Sequence, residues 1–215
     1  MALYKTGMKN PIYHMLNTKY LSLILLFLLA FGERVFFDLG PNIELITMAM
    51  ILTAYYFGKK ESFWLTFAVI AFSDVVIGNS NIFLFTWSGF LIPALLSSRL
   101  ITLFKLISQR LTNLWSGLKL IPLISVGLFS NLFFYLWTNF GVWLLDSWGM
   151  YPDTFQGLLL SYINALPFLR LQIASTLIFL PLVFISIELM GFLNSKFHLE
   201  NKSDNVFGSM LKIAG

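Results

Sequence analysis

Charged side chains interrupt the long apolar runs of this sequence and are its first candidates for chemistry. Glu33 and Arg34 fall near the end of the first run, and Asp74 falls near the end of a later one. Arg170 begins the last run. An ionisable group inside a membrane span is costly and indicates a binding site or a buried ion pair. We predict that Asp74 pairs with Arg34 or Arg170; an ion pair that only holds helices together is the alternative.

Asparagine and aromatic side chains form a second candidate group further along the chain. At a spacing of four residues, one helical face carries Asn131, Tyr135, Asn139 and Trp143. Aromatic rings stack on flat ligands, and a few polar groups fix their orientation. This face is therefore predicted to line a ligand pocket, with residues 146–153 as its rim. An interfacial aromatic belt would explain Trp143 in part, but it explains Asn139 poorly.

The loop between the first two apolar runs, DLGPNIEL, supplies a further candidate. Gly40 and Pro41 would end the first helix, and Asn42 is placed to cap the second. A helix N-terminus at this depth would offer free N–H groups and the positive end of a helix dipole. An ordinary tight turn is the alternative. Trp87, in the fourth apolar run, is the remaining pocket candidate.

Signatures of catalysis are absent from the sequence. It contains no cysteine, and its two histidines lie near the termini, so neither a metal site nor thiol chemistry is predicted. No zinc-protease, serine-hydrolase or P-loop motif occurs. Asp38 and Asp74 could imitate an intramembrane aspartyl pair, but neither stands in a Gly-Asp context. We predict that the protein is not an enzyme and has no cofactor and no catalytic residue.

The composition is typical of an integral membrane protein, since 58% of the 215 residues are hydrophobic and 11% are charged; soluble domains are about 25% charged. An all-α fold with six transmembrane helices is predicted, over residues 20–38, 44–57, 62–78, 82–106, 118–145 and 170–193. The apolar segment 155–168 is too short to span a bilayer, and Pro167 would end it. It is therefore predicted to be a short re-entrant or interfacial helix before the last span.

The distribution of basic residues predicts the orientation. All of them except Arg34 and Arg170 fall on one side of the six predicted spans, which the positive-inside rule assigns to the cytoplasm. We predict a multi-pass protein of the cytoplasmic (inner) membrane with both termini cytoplasmic: a segment 1–19, one domain over 20–193, and a tail, 194–215. Because the cations are spread over every cytoplasmic connection, nucleic-acid binding is not predicted.

Two stretches resemble known membrane proteins. The first, PNIELITMAMILTAYYFGKKESFWLTFAVIAFSDVVIG, resembles the front half of S components, the substrate-binding membrane subunits of energy-coupling factor (ECF) vitamin transporters. In that group a Pro-Asn or Pro-x-Glu turn opens the second helix, and a Ser/Asp-rich stretch ends the third. The second, SNLFFYLWTNFGVWLLDSWGMYPDTFQGLLLSYINALPF, is similar to an uncharacterised bacterial family of S-component-like proteins, in which T-N-F-G-V-W and Y-P-x-T recur.

The resemblance covers about residues 20 to 190. It implies six helices and a pocket near the outer face, closed by the loop after the first span and by the segment between the last two. It also implies a transmembrane coupling protein and ATPases as partners. The first span departs from the family, because Ala30 and Gly32 do not form the Ala-x-x-x-Ala docking pattern. It is therefore also possible that the chain is a transporter that works without a coupling protein.

The predicted function is uptake of a vitamin-like or other small metabolite, with this chain as the membrane-embedded substrate-binding subunit. The alternative is a non-transporting structural or accessory subunit of a larger membrane complex, in which the polar residues fasten helices together. The residues predicted to bind the ligand are Glu33, Arg34, Asn42, Asp74, Trp87, Asn131, Tyr135, Asn139, Trp143 and Arg170.

Overall fold

The computed structural model describes residues 11–37, 39–40, 43–78, 80–111, 119–145 and 149–213. All regular secondary structure within these ranges is helical, which confirms the predicted all-α fold. The helices are α1 (Pro11–Gly32), α2 (Ile46–Tyr56), α3 (Lys59–Ile77), α4 (Phe83–Leu111), α5 (Leu120–Leu145) and α6 (Phe155–Ile213). A π-helical turn, Glu33–Phe37, directly follows α1.

The long helices have the surface of a multi-pass membrane protein. Four stretches of the described chain are long and apolar enough to cross a membrane: Lys19–Phe37, Phe83–Gln109, Leu120–Leu145 and Phe155–Leu193. Many leucine, isoleucine and phenylalanine side chains on these helices are exposed. Contiguous apolar surface of this extent is uncommon on soluble monomers and suits contact with lipid.

Helix α2 forms the centre of the bundle and contacts every other helix. Its residues from Ile46 to Ala54 are all buried. Because it is apolar on every side, it is stable as a core helix surrounded by protein. Its 11 residues rise only about 16 Å, which is about half of the hydrocarbon thickness of a bilayer. The longer helices therefore extend past its first turn and enclose the space there.

Helix α6 differs from the sequence-based prediction. The predicted re-entrant or interfacial helix over residues 155–168 is wrong as a separate element, because one helix continues through Pro167 and Pro181. Proline removes one backbone hydrogen bond, but in membrane helices this is tolerated where neighbouring groups supply polar partners. Pro167 removes the helical donor of the carbonyl oxygen of Ile163, and the hydroxyl of Tyr135 donates to the neighbouring carbonyl oxygen of Tyr162, at 2.7 Å, so α5 makes a polar contact with α6 in this turn.

Helix α6 packs antiparallel against α5 on both sides of Pro167. On one side, a Cβ atom at Gly127 would lie 2.5 Å from Cγ2 of Thr176, so the two helices approach closely there. On the other side, the hydroxyl of Ser161 lies 3.4 Å from the carbonyl oxygen of Asn139. This continuous contact with α5 holds the segment before Pro167 in the same helix as the segment after it.

Candidate functional site

A polar cavity lies beside the first turn of α2, enclosed by α4, α5 and α6. Its volume is about 250 Å³. Seven polar side chains line it together with aliphatic and aromatic ones: Arg34, Glu44, Ile82, Thr86, Phe90, Phe134, Tyr135, Thr138, Asn139, Val142, Ala165, Phe168, Leu169 and Gln172. Such a concentration of polar groups inside an apolar bundle is the molecule's strongest indication of a binding site.

Arg34 is held in the wall of the cavity by two residues behind it. Its Nη2 atom lies 2.9 Å from Oδ1 of Asp74, and the indole nitrogen of Trp87 donates to the other carboxylate oxygen, at 2.7 Å. The predicted pairing of Asp74 with Arg34 is therefore confirmed. Asp74 is buried, so its charge requires this compensation. Asp74 and Trp87 do not line the cavity but position the guanidinium that does.

The π-helical turn places the neighbouring Glu33 in a different role. Glu33 is buried, and its Oε2 atom accepts a hydrogen bond from the backbone N–H of Leu45, at 3.3 Å. Leu45 precedes the first turn of α2, whose N–H groups have no partner within the helix. Glu33 thus fastens the start of α2 to the end of α1 and does not line the cavity.

Glu44 is the acidic residue in the cavity wall. Its Oε1 atom accepts hydrogen bonds from Gln172, at 3.1 Å, and from Thr47, at 3.0 Å. Its backbone carbonyl accepts a further bond from Ser175, at 2.7 Å. Glu44 lies in the connection before α2, outside the helices.

Helix α5 supplies one wall of the cavity through the face that carries Tyr135 and Asn139. The Nδ2 atom of Asn139 donates to the carbonyl oxygen of Tyr135, at 2.7 Å. This bond occupies one amide hydrogen, so the carbonyl oxygen of the Asn139 side chain remains available to a ligand. The adjacent face of α5 packs on α4 instead, where the indole nitrogen of Trp137 donates to the hydroxyl of Ser88, at 2.7 Å.

Three other predicted residues do not line the cavity, and a fourth lies outside the described part of the chain. Asn131 is fully buried, and its Nδ2 atom bonds the carbonyl oxygen of Gln172 and the hydroxyl of Thr176, so it fastens α5 to α6. Trp143 donates to the carbonyl oxygen of Pro152, at 3.1 Å, near the predicted rim. Arg170 is exposed on α6. Asn42 lies outside the residues that the structure describes.

The sequence-based prediction missed several residues that line the cavity. The polar ones are Glu44, Thr86, Thr138 and Gln172. Gln172 follows Phe168 by one helical turn, and both lie in an apolar run. An amide side chain in such a run is the sequence feature that indicates a polar site at this position. The expected break at Pro167 hid this signal, because it separated Ala165 from Gln172 although one helix carries both.

The cavity can bind a small molecule through groups of several kinds. Arg34 donates hydrogen bonds, Glu44 accepts them, and the amide and hydroxyl groups can do either. The rings of Phe90 and Phe134 are in contact, with centroids 4.3 Å apart. No group of three or more potential metal-ligating side chains occurs in the part of the chain that the structure describes.

Comparison with known proteins places the chain in a family. The sequence model of a family of unknown function, DUF6580, matches residues 14–199. The chain belongs to the DUF6580 family. This match includes every residue that lines the cavity, so the site lies in the DUF6580 part of the chain. No curated protein and no solved structure matches the chain.

Proposed function

We propose that this DUF6580 protein is a membrane-embedded substrate-binding subunit for the uptake of a small metabolite. The polar cavity beside α2 is the observation that carries the proposal. Its volume, about 250 Å³, lies just below the range of about 300–1,000 Å³ that is usual for ligand pockets. The ligand is therefore a small molecule with both hydrogen-bonding groups and a flat or apolar part, as many vitamins and their precursors are.

The proposed membrane arrangement has six helices, with both termini on the cytoplasmic side of the inner membrane. Lysines at the beginning of α3 and before α5 support this orientation, because the positive-inside rule places them in the cytoplasm. The cavity then opens towards the outer face. The loop after α1 and the connection before α6 are the proposed closing segments, and the bond from Trp143 to Pro152 lies at the second of them.

The resemblance to S components of ECF transporters supports the same function. If the chain works as S components do, uptake requires a transmembrane coupling protein and ATPases. The alternative is that the chain transports its ligand without them. Arg34, Tyr135 and Asn139 are the residues, among those predicted from the sequence, that we propose to contact the ligand. Glu44 and Gln172 join them, because their side chains also line the cavity.

Mass spectrometry of the purified protein tests this function. We expect the wild-type protein to carry a small molecule of one identity. Ala165 lines the cavity and is buried, so Ala165→Leu should fill the cavity and abolish the retention. Ala174 lies on the same helix with its side chain exposed, and Ala174→Leu should retain the molecule. Loss of the molecule in both variants, or in neither, would contradict the proposal.

A second candidate function is that of an accessory subunit in a larger membrane complex. The observation that favours it is Arg170, which is exposed on α6 and has no ion-pair partner among the residues that the structure describes. Charged groups in membrane helices usually face protein or pair with another charge. If a partner covers Arg170, then Arg170→Leu should reduce co-purification of that partner without changing retention of a small molecule.

A further inference from the structure

A groove runs along the surface of the bundle between α1 and α3, away from the polar cavity. Its volume is about 380 Å³. Aliphatic and aromatic side chains line it, with two charged residues at one end: Tyr20, Leu23, Ile24, Phe27, Lys60, Glu61, Trp64 and Leu65. The α1 residues belong to the stretch Lys19–Phe37, which is long and apolar enough to cross a membrane. Most of the groove therefore adjoins lipid hydrocarbon.

The charged end of the groove has excess positive charge. The Nζ atom of Lys19 lies 2.6 Å from Oε1 of Glu61, so this ion pair neutralises the single acidic residue of the groove. Lys59 and Lys60 are exposed at the beginning of α3 and form no ion pair with any described residue. One lysine outside any ion pair, Lys60, thus lines the charged end of the groove, and a second, Lys59, precedes it in the chain.

We infer that this groove binds an anionic phospholipid, with an acyl chain along Phe27 and Trp64 and the phosphate beside Lys60. Hydrocarbon fits the apolar walls, and the amphipathic Tyr20 and Trp64 suit the head-group level of a bilayer. Basic pockets between membrane helices bind anionic head groups, and one lysine near the surface changes the affinity by about fivefold. This site is separate from the proposed metabolite site and does not depend on it.

Fluorescence quenching of Trp64 by lipids with brominated acyl chains tests the inference. The full chain is reconstituted in phosphatidylcholine vesicles that contain a minor fraction of brominated phosphatidylglycerol or, separately, of brominated phosphatidylcholine. The difference in quenching between the wild-type protein and Trp64→Phe measures the contact of brominated acyl chains with Trp64 in the groove. We expect the brominated phosphatidylglycerol to quench this part at a lower mole fraction than the brominated phosphatidylcholine.

Charge variants distinguish a site from a general surface effect. Lys60→Gln should weaken the preference for phosphatidylglycerol by about fivefold. Lys105 is also exposed but does not line the groove, and Lys105→Gln should leave the preference unchanged. Equal quenching by the two lipids in the wild-type protein, or equal effects of the two variants, would overturn the inference. If neither lipid quenched Trp64, the inference would also be overturned, because no acyl chain would then lie in the groove. A second copy of the chain or another protein would be its occupant instead.

Discussion

Gln172 of α6 donates a hydrogen bond to Glu44, which lies just before α2, with 3.1 Å between Nε2 and Oε1. The two residues are far apart in the sequence, and both line the polar cavity. The bond therefore ties the start of the central helix to the helix that closes one side of the cavity. Because Gln172 is itself buried, its amide cannot replace this partner with bulk water at low cost.

Replacing Gln172 with leucine should destabilise the protein by about 1 kcal/mol, because the half-buried Glu44 loses one of the two hydrogen bonds that its Oε1 atom accepts. The midpoint of thermal unfolding in detergent measures this effect. Gln156 is exposed on the same helix, so Gln156→Leu serves as the matched control and should leave the midpoint nearly unchanged. Equal midpoints for the two variants would show that the bond to Glu44 does not stabilise the fold.

The ion pair between Arg34 and Asp74 should show strong coupling in a double-mutant cycle. Breaking it from one side leaves an uncompensated, largely buried charge, which typically costs about 3–5 kcal/mol. The double variant Arg34→Leu and Asp74→Leu should therefore lose less stability than the sum of the two single variants. Thermal unfolding of all four proteins measures the difference.

A control for this cycle is the pair of Lys119 and Glu188, whose side chains are 59% and 37% exposed. Water and salt screen such a pair, so its cycle should show almost no coupling. If the cycle of Arg34 and Asp74 gave equally little coupling, the guanidinium would not be held in the cavity wall by Asp74.

The close approach of α5 and α6 should make Gly127 intolerant of a larger side chain. A Cβ atom there would lie 2.5 Å from Cγ2 of Thr176, and Gly127→Val would force the helices apart. Overpacking of this kind usually costs about 1–3 kcal/mol. Gly191 lies in α6, and a Cβ atom added there would meet no other atom within 4 Å, so Gly191→Val is the control. A lower unfolding midpoint is expected for Gly127→Val only.

The sequence predicts those parts of the site that local rules govern. Charged residues in apolar runs indicate that Asp74 pairs with Arg34 or Arg170, since a buried carboxylate requires a partner, and the structure selects Arg34. The spacing of four residues indicated that Tyr135 and Asn139 share a face of α5. Both relationships depend on helix geometry or on charge balance, which can be deduced without knowing how the other helices pack.

The parts that the sequence did not predict depend on tertiary contacts. Pro167 is a strong local signal for a helix end, yet the packing of α6 against α5 overrides it. Asn131 has the spacing of a pocket residue, but the same helix pair buries it between Gln172 and Thr176. Glu44 belongs to the loop DLGPNIEL, and nothing in its sequence neighbourhood indicates the bond from Gln172.

The most direct measurement of the central claim is equilibrium dialysis of the purified protein against a small-molecule extract of the cells that produce it. The wild-type protein should concentrate one small molecule at close to one per chain, and Ala165→Leu, which fills the cavity, should concentrate none. Ala174→Leu should behave as the wild type does. If the wild-type protein concentrated no small molecule, or if Ala165→Leu concentrated the same amount, the cavity would not be a metabolite site.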